Sequence, residues 1–173
     1  SRDWSSDVCS SDLGGDWAAD RLVPDILHGL AAGRRVSIRR PDAVRPWQHV
    51  LEPLAGYLRL AERLVTHGPA YAEGWNFGPQ PGSEQPVRHV AERLVALWGA
   101  GELDLASVPA GPHEAGLLRL DATKAQAKLG WRPKLDLDQA LAWTVEWQRG
   151  WTREPLQALA LTEAQLARYE ALA

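Results

Sequence analysis

The chain has 173 residues, the size of one ordinary domain, and its 19 basic against 22 acidic side chains leave a formal charge of −3. Such near-neutrality gives it no electrostatic reason to seek nucleic acid or a membrane surface, and no apolar run approaches the roughly 20 residues that a bilayer-spanning helix needs. A single cysteine, Cys9, excludes an internal disulfide framework and a thiolate-rich metal site. With no signal-peptide pattern, the expectation is a cytoplasmic protein.

Residues 1–13, SRDWSSDVCSSDL, resemble the in-frame translation of a sequencing adapter. They are expected to be a disordered artefact and are set aside, which leaves 14–173 as the unit to be read. Composition alone would equally fit a Ser/Asp-rich disordered tail. From Asp20 to Ala32 the apolar positions Leu22, Val23, Ile26, Leu27 and Leu30 recur at helical spacing, Pro24 is tolerable in the first turn, and Gly33 stops the helix. Val36–Arg39 reads as a short strand, followed by a loop from Pro41 to Pro46 and an extended segment at Trp47–Val50. The strongest helix runs from Glu52 to His67, with Leu54, Leu58, Ala61, Leu64 and Val65 in period and Gly68-Pro69 ending it. Ala72–Gly78 reads as a strand and 80–85 as a polar loop, and Pro86 opens a helix as far as Trp98. Short strands are expected at Leu103–Ala106 and Leu117–Leu120, and a short helix at Ala122–Leu129, closed by Gly130. Asp136 or Asp138 caps a helix to about Arg149, and Leu161–Ala173 forms a last helix with Thr162 as its cap. Strand–helix alternation makes the fold class α/β, with a small α+β subdomain beside the last part of a sheet.

Trp143, Trp147 and Trp151 are spaced four apart and form one stripe on a helix, read as core or a packing seam rather than a base-stacking platform. Trp98 and Trp131 sit at element ends, where a large ring covers a core edge. His28, His49, His67 and His89 have no metal-ligand spacing and are read as structural or surface residues. Glu52 is read as a helix cap.

Five stretches carry a resemblance: GGDWAADRLVPD (14–25), IRRPDAVRPWQHVLEPLAGYLRLAERL (38–64), WNFGP (75–79), PHEAGLLRLDATKAQAKLGWRP (112–133) and LAWTVEWQRG (141–150). In this order they resemble the C-terminal half of extended short-chain dehydrogenase/reductases that act on nucleotide sugars, and among these the CDP-glucose 4,6-dehydratases. The resemblance implies a Rossmann-like fold whose NAD-binding N-terminal half is not represented. It implies a lyase of deoxysugar biosynthesis that converts CDP-glucose to CDP-4-keto-6-deoxyglucose. Bound NAD would take a hydride from C4 and return it to C6, and the full-length enzyme would be a homo-oligomer. The alternatives are another epimerase or dehydratase of the same superfamily, or a non-catalytic helical interaction module.

The Tyr-x-x-x-Lys pair and the Gly-rich strand–turn–helix of that family do not occur here, since Tyr57, Tyr71 and Tyr169 are followed four places on by Ala61, Trp75 and Ala173. No catalytic, cofactor-binding or metal residue is therefore assigned, and the chain alone is expected to be inactive. The substrate-binding residues implied are Arg21 and Leu22, which open a helix toward a pyrophosphate; Ile38 and Arg39, on a strand edge along the base; Arg45, whose rigid fork suits a diphosphate; and His113, which with Glu114 would close the nucleotide pocket. By residue type alone, Arg21 and Arg45 also fit solvated surface charges and His113 an ordinary loop histidine. Pro109-Ala110-Gly111-Pro112 replaces a segment that carries an arginine in thymidine-specific relatives, which disfavours thymidine.

Overall fold

A computed structural model describes residues 21–105 and 116–172. In chain order its elements are α1 (Leu22–Ala31), β1 (Val36–Ser37), β2 (Val44–Pro46), α2 (Leu51–His67), β3 (Glu84–Pro86), α3 (Val87–Trp98), β4 (Leu103–Asp104), α4 (Thr123–Leu129), α5 (Leu137–Arg153) and α6 (Ala158–Glu170). Single 3-10 turns at Gly68–Tyr71 and Pro155–Gln157 join two of them.

The apolar period of α1 buries Val23, Ile26, Leu27 and Leu30 against α3, α5 and β1. Ile26, Val90, Leu94 and Leu141 are fully enclosed in this cluster, each stabilising the fold by roughly 1.5–3 kcal/mol relative to an exposed position. The extended backbone beside it is short. β1 pairs parallel with β4, Val36 opposite Leu103, and the ladder reaches Ile38, whose N–H donates to the Asp104 carbonyl at 2.8 Å. β2 pairs antiparallel with β3, Arg45 opposite Gln85. On its other edge Val44 donates to the Gly116 carbonyl and accepts from the Leu118 N–H, at 2.9 and 3.2 Å.

A second cluster gathers Phe77, Ala125, Leu129 and Trp131 beneath α2. Trp131 therefore lies at the centre of a core rather than over its edge. Its ring meets Phe77 edge-on at 5.1 Å, and Phe77 meets Tyr57 in the same way at 5.3 Å. A third cluster joins Leu51, Leu135, Trp143 and Tyr169 where α2, α5 and α6 converge. Trp143 is buried there, while Trp147 and Trp151 lie half-buried and nearly parallel, their centroids 6.3 Å apart. This is the packing seam expected of the tryptophan stripe. The indole of Trp147 donates to the Thr162 hydroxyl of α6 at 3.0 Å.

Several boundaries differ from those read in the sequence. The strand falls at Val44–Pro46 rather than Trp47–Val50, because the backbone of Val44 is bonded on both edges, whereas Trp47 to His49 are held mainly through their side chains. Ala72–Gly78 forms no ladder among the described residues, despite its strand-like composition; side chains of Gln48 and Lys124 bond its carbonyls instead. Leu117–Leu120 contributes only an isolated bridge to Val44. The polar loop ends early, since Glu84–Pro86 is β3. The last helix starts at Ala158, so Thr162 lies inside it and its hydroxyl donates back to the Ala158 carbonyl at 2.9 Å. The cap of α5 is Asp136, which forms a reciprocal box with Gln139. One face of α2 stays open, with Leu58 73% and Val65 87% exposed.

Gly56 is required where α2 crosses the second cluster, since a Cβ there would stand 2.3 Å from the Phe77 ring. That ring is wedged between Tyr57 and Trp131 and has no room to retreat. Replacing Gly56 with Ala should gain about 1 kcal/mol of helix propensity and lose more through overpacking. The expected net loss is about 1–2 kcal/mol, read from the urea midpoint.

Candidate functional site

The segments that carry Arg21, Leu22, Ile38, Arg39 and Arg45 each put a residue into the main hydrophobic cluster. Arg21 is the extended residue before α1, and its carbonyl accepts the Asp25 N–H at 2.9 Å. Leu22 is the first helical residue and packs on the main core. Ile38 and Trp47 belong to that same core. The segments that carry Arg21, Leu22, Ile38, Arg39 and Arg45 thus share one hydrophobic anchor. Strand alternation then decides what each presents: the Ile38 side chain is 1% exposed and faces inward, while neighbouring Arg39 is exposed. Arg45 is half-buried in β2, with Nη1 donating to the Val44 carbonyl at 3.0 Å. His113 and Glu114 lie outside the described residues.

The stretch that follows Arg45 is pinned residue by residue. The Trp47 N–H donates to the Ser83 carbonyl at 3.2 Å and its indole to the Gln85 carbonyl at 2.8 Å. Gln48 donates from Nε2 to the Phe77 carbonyl at 2.7 Å. His49 accepts the Leu51 N–H on Nδ1 at 3.3 Å and meets the Trp143 ring edge-on at 5.9 Å. Burial holds His49 neutral and lowers its pKa to about 4.

Glu52 completes the series and is not the helix cap expected of it. It stands inside the first turn of α2, after Val50 at the cap position, and its side chain is 0% exposed. Its Oε1 accepts the N–H groups of Lys134 and Leu135 at 2.9 and 2.7 Å, and its Oε2 accepts the Tyr169 hydroxyl at 2.7 Å. Its backbone carbonyl accepts the Trp131 indole at 3.1 Å. Desolvation raises the pKa of this carboxyl, opposed by these donors and by the nearby Lys134 ammonium. Tyr169 is pushed up as well, first by burial and then by the carboxylate it bonds. The Lys134 ammonium donates to the carbonyls of Tyr169 and Leu172, and lies 5.2 Å from the centre of the Tyr169 ring. A glutamate two residues after the assigned cap carries no sequence mark of this role. The one available signal was its place in the resembling block ahead of LGWRP.

This arrangement provides, among the described residues, a rigid backbone flanked by the cations Arg45 and Lys134. Among the described residues no cluster of His, Cys, Asp and Glu is arranged to hold a metal, and no helix is long and apolar enough to cross a membrane. A dinucleotide cradle needs a glycine-lined turn from strand to helix; among the described residues the passages from β2 to α2 and from β3 to α3 run Pro46-Trp47-Gln48-His49-Val50 and Gln85-Pro86-Val87-Arg88, and neither has that glycine-lined form.

No family model matches the chain. It is 46% identical over 140 residues to CDP-glucose 4,6-dehydratase of Salmonella typhimurium, an alignment covering 81% of this chain and 39% of that protein, toward its C-terminal end. In structure it is similar to dTDP-glucose 4,6-dehydratase from Bacillus anthracis in complex with NAD, with a TM-score of 0.59 at 20% identity over 75% of this chain and 39% of the other. It is also similar to a UDP-glucose 4-epimerase, with a TM-score of 0.62 at 20% identity over 79% and 42%. The chain spans about two fifths of the length of the curated relative. The fold is the Rossmann-like one of extended short-chain dehydrogenase/reductases, present in part, and the homologues are nucleotide-sugar dehydratases and epimerases.

Two predictions follow from the pinned segment. Replacing Glu52 with Ala strands two backbone donors and a buried hydroxyl, and should cost about 3–5 kcal/mol in urea unfolding. Glu52→Gln keeps an acceptor and an amide facing Tyr169, and should cost less than half as much. For His49 the unfolded chain takes up a proton near the ordinary 6.5 and the folded chain only near 4. Its contribution is therefore complete above pH 6.5 and lost as the pH falls toward 4, by about 3 kcal/mol in all. His49→Gln should flatten the stability–pH curve within that window, while an unchanged slope would contradict the assignment.

Proposed function

We propose that this chain is the substrate-binding part of an NAD-dependent nucleotide-sugar 4,6-dehydratase acting on CDP-glucose. The observation that carries this reading is the 46% identity to CDP-glucose 4,6-dehydratase across 81% of the chain. The geometry supports it: segments bearing Arg21, Arg39 and Arg45 are anchored in one core, and the residues after Arg45 are fixed to the loop at 77–85. In this reading Arg21 and the first N–H groups of α1, beside Leu22, meet the diphosphate together with Arg45. The backbone of Ile38 and the side chain of Arg39 line the base, and His113 closes the pocket. The buried Ile38 side chain limits that residue to a main-chain role.

NAD is assigned to the remainder of a full-length enzyme, where it would accept and return the hydride. What these residues do is bind and orient: they hold the nucleotide end so that the sugar is presented to chemistry elsewhere. Uniform binding of this kind governs affinity more than turnover.

Isothermal titration with CDP and with dTDP tests the reading. CDP should bind, and dTDP more weakly. Arg45→Ala should raise the Kd for CDP by about tenfold or more, and Arg45→Lys by less, because the charge is kept and the fork is lost. Equal affinity for the two nucleotides would remove the cytidine assignment, and binding of neither would remove the nucleotide reading.

A further inference from the structure

We propose that Tyr169, near the C-terminal end of α6, is a positioning residue for the nucleotide-binding segment and acts on it through Glu52. The inference rests on the nucleotide reading of Arg45 and goes beyond it, since the Tyr169 hydroxyl bonds Glu52, which is not among the residues proposed to bind.

The argument starts from the unequal anchoring of the segment at 45–52. Trp47 and Gln48 are bonded to the loop at 77–85, on one side. Glu52 is the side chain that fixes its other end, to the turn at 134–135 and to α6. The two backbone donors there approach Oε1, and the Tyr169 hydroxyl is the donor to Oε2, at 2.7 Å. A carboxylate 0% exposed to water is held in one orientation by donors to both of its oxygens. Without the hydroxyl, Oε2 is a buried acceptor with its side-chain donor gone, and the carboxylate can turn about its bonds to the 134–135 turn.

Lys134 makes the arrangement reciprocal. Its N–H donates to Glu52, while its ammonium bonds the carbonyls of Tyr169 and Leu172 and so caps the end of α6. The end of α6 and the start of α2 are thus two sides of one joint, with the turn at 134–135 between them. The joint is continuous with the pinned stretch that runs back to Arg45, since the Glu52 N–H donates to the His49 carbonyl at 3.0 Å.

Arg168 supplies the control. It docks the same helix by bonding Glu146 at 3.0 Å and by stacking 3.9 Å over the Trp143 ring, so it reaches the segment only through the contact of that ring with His49 and bonds no oxygen of Glu52. Two measurements are made on the full chain, at a temperature where all variants are folded. Hydrogen exchange without ligand should show Tyr169→Phe accelerating the amides of Trp47 to Glu52, and Arg168→Ala leaving them at wild-type rates. Titration with CDP should show Tyr169→Phe raising the Kd by about five- to tenfold, and Arg168→Ala leaving it unchanged. If Tyr169→Phe lowers the unfolding midpoint but changes neither exchange at 47–52 nor the Kd, the residue is structural only and the proposal fails. If both variants act alike, the effect belongs to helix docking and the proposal also fails. If the wild-type chain binds no CDP while the exchange effect is present, the coupling stands and the nucleotide reading is what falls.

Discussion

A carboxylate sealed from water must be bonded at both oxygens, and Glu52 meets that demand only by drawing three distant parts of the chain together. The desolvation cost of such a group is several kcal/mol before its partners are counted. Its partners here are two backbone N–H groups of the 134–135 turn and the hydroxyl of Tyr169. The Trp131 indole, bonded to the Glu52 carbonyl, is a further tie between that turn and α2. The third apolar cluster, with Leu51, Leu135, Trp143 and Tyr169, surrounds this joint and keeps water from competing for it.

The same joint explains why two sequence blocks that look unrelated belong together. RPWQHVLEP and LGWRPK lie some eighty residues apart, yet the Trp131 indole bonds the Glu52 carbonyl and the Lys134 N–H bonds its side chain. Gly130, at φ +64, turns the chain out of α4 so that Trp131 can enter the core beneath α2. Each block supplies half of one hydrogen-bonded contact. On the far side of the first block, the backbone leads without slack to Arg45. The scaffold therefore ends where the proposed ligand begins.

The helices were largely legible because their apolar period is set by burial against neighbours within the chain. The positions Val23, Ile26, Leu27 and Leu30 could be named from spacing and are in the core. Gly33, Gly68 and Gly130 stop helices where the sequence placed the stops. Strands were less legible, since a strand is defined by its partner: Trp75-Asn76-Phe77 has the right composition and forms no ladder among the described residues. Glu52 was misread because a carboxylate in a first turn fits the capping pattern as well as it fits a long-range tie, and local spacing carries no information about residue 169. The start of α6 was misread for a related reason, as Thr162 bonds its own helix and the Trp147 indole instead of opening a turn. The candidate site was legible only by resemblance, since arginines at a helix start and on a short strand have no spacing of their own.

The central claim is that residues scattered over the first third of the chain form one nucleotide face supported from below by the Glu52 joint. Backbone NMR with increasing CDP tests it most directly. The account predicts saturable shifts at Arg21 to Val23, Ser37 to Arg39 and Val44 to Arg45, with smaller ones carried to Glu52, Lys134 and Leu135. Shifts confined to the Trp147–Trp151 seam, or none at any concentration of CDP, would contradict it.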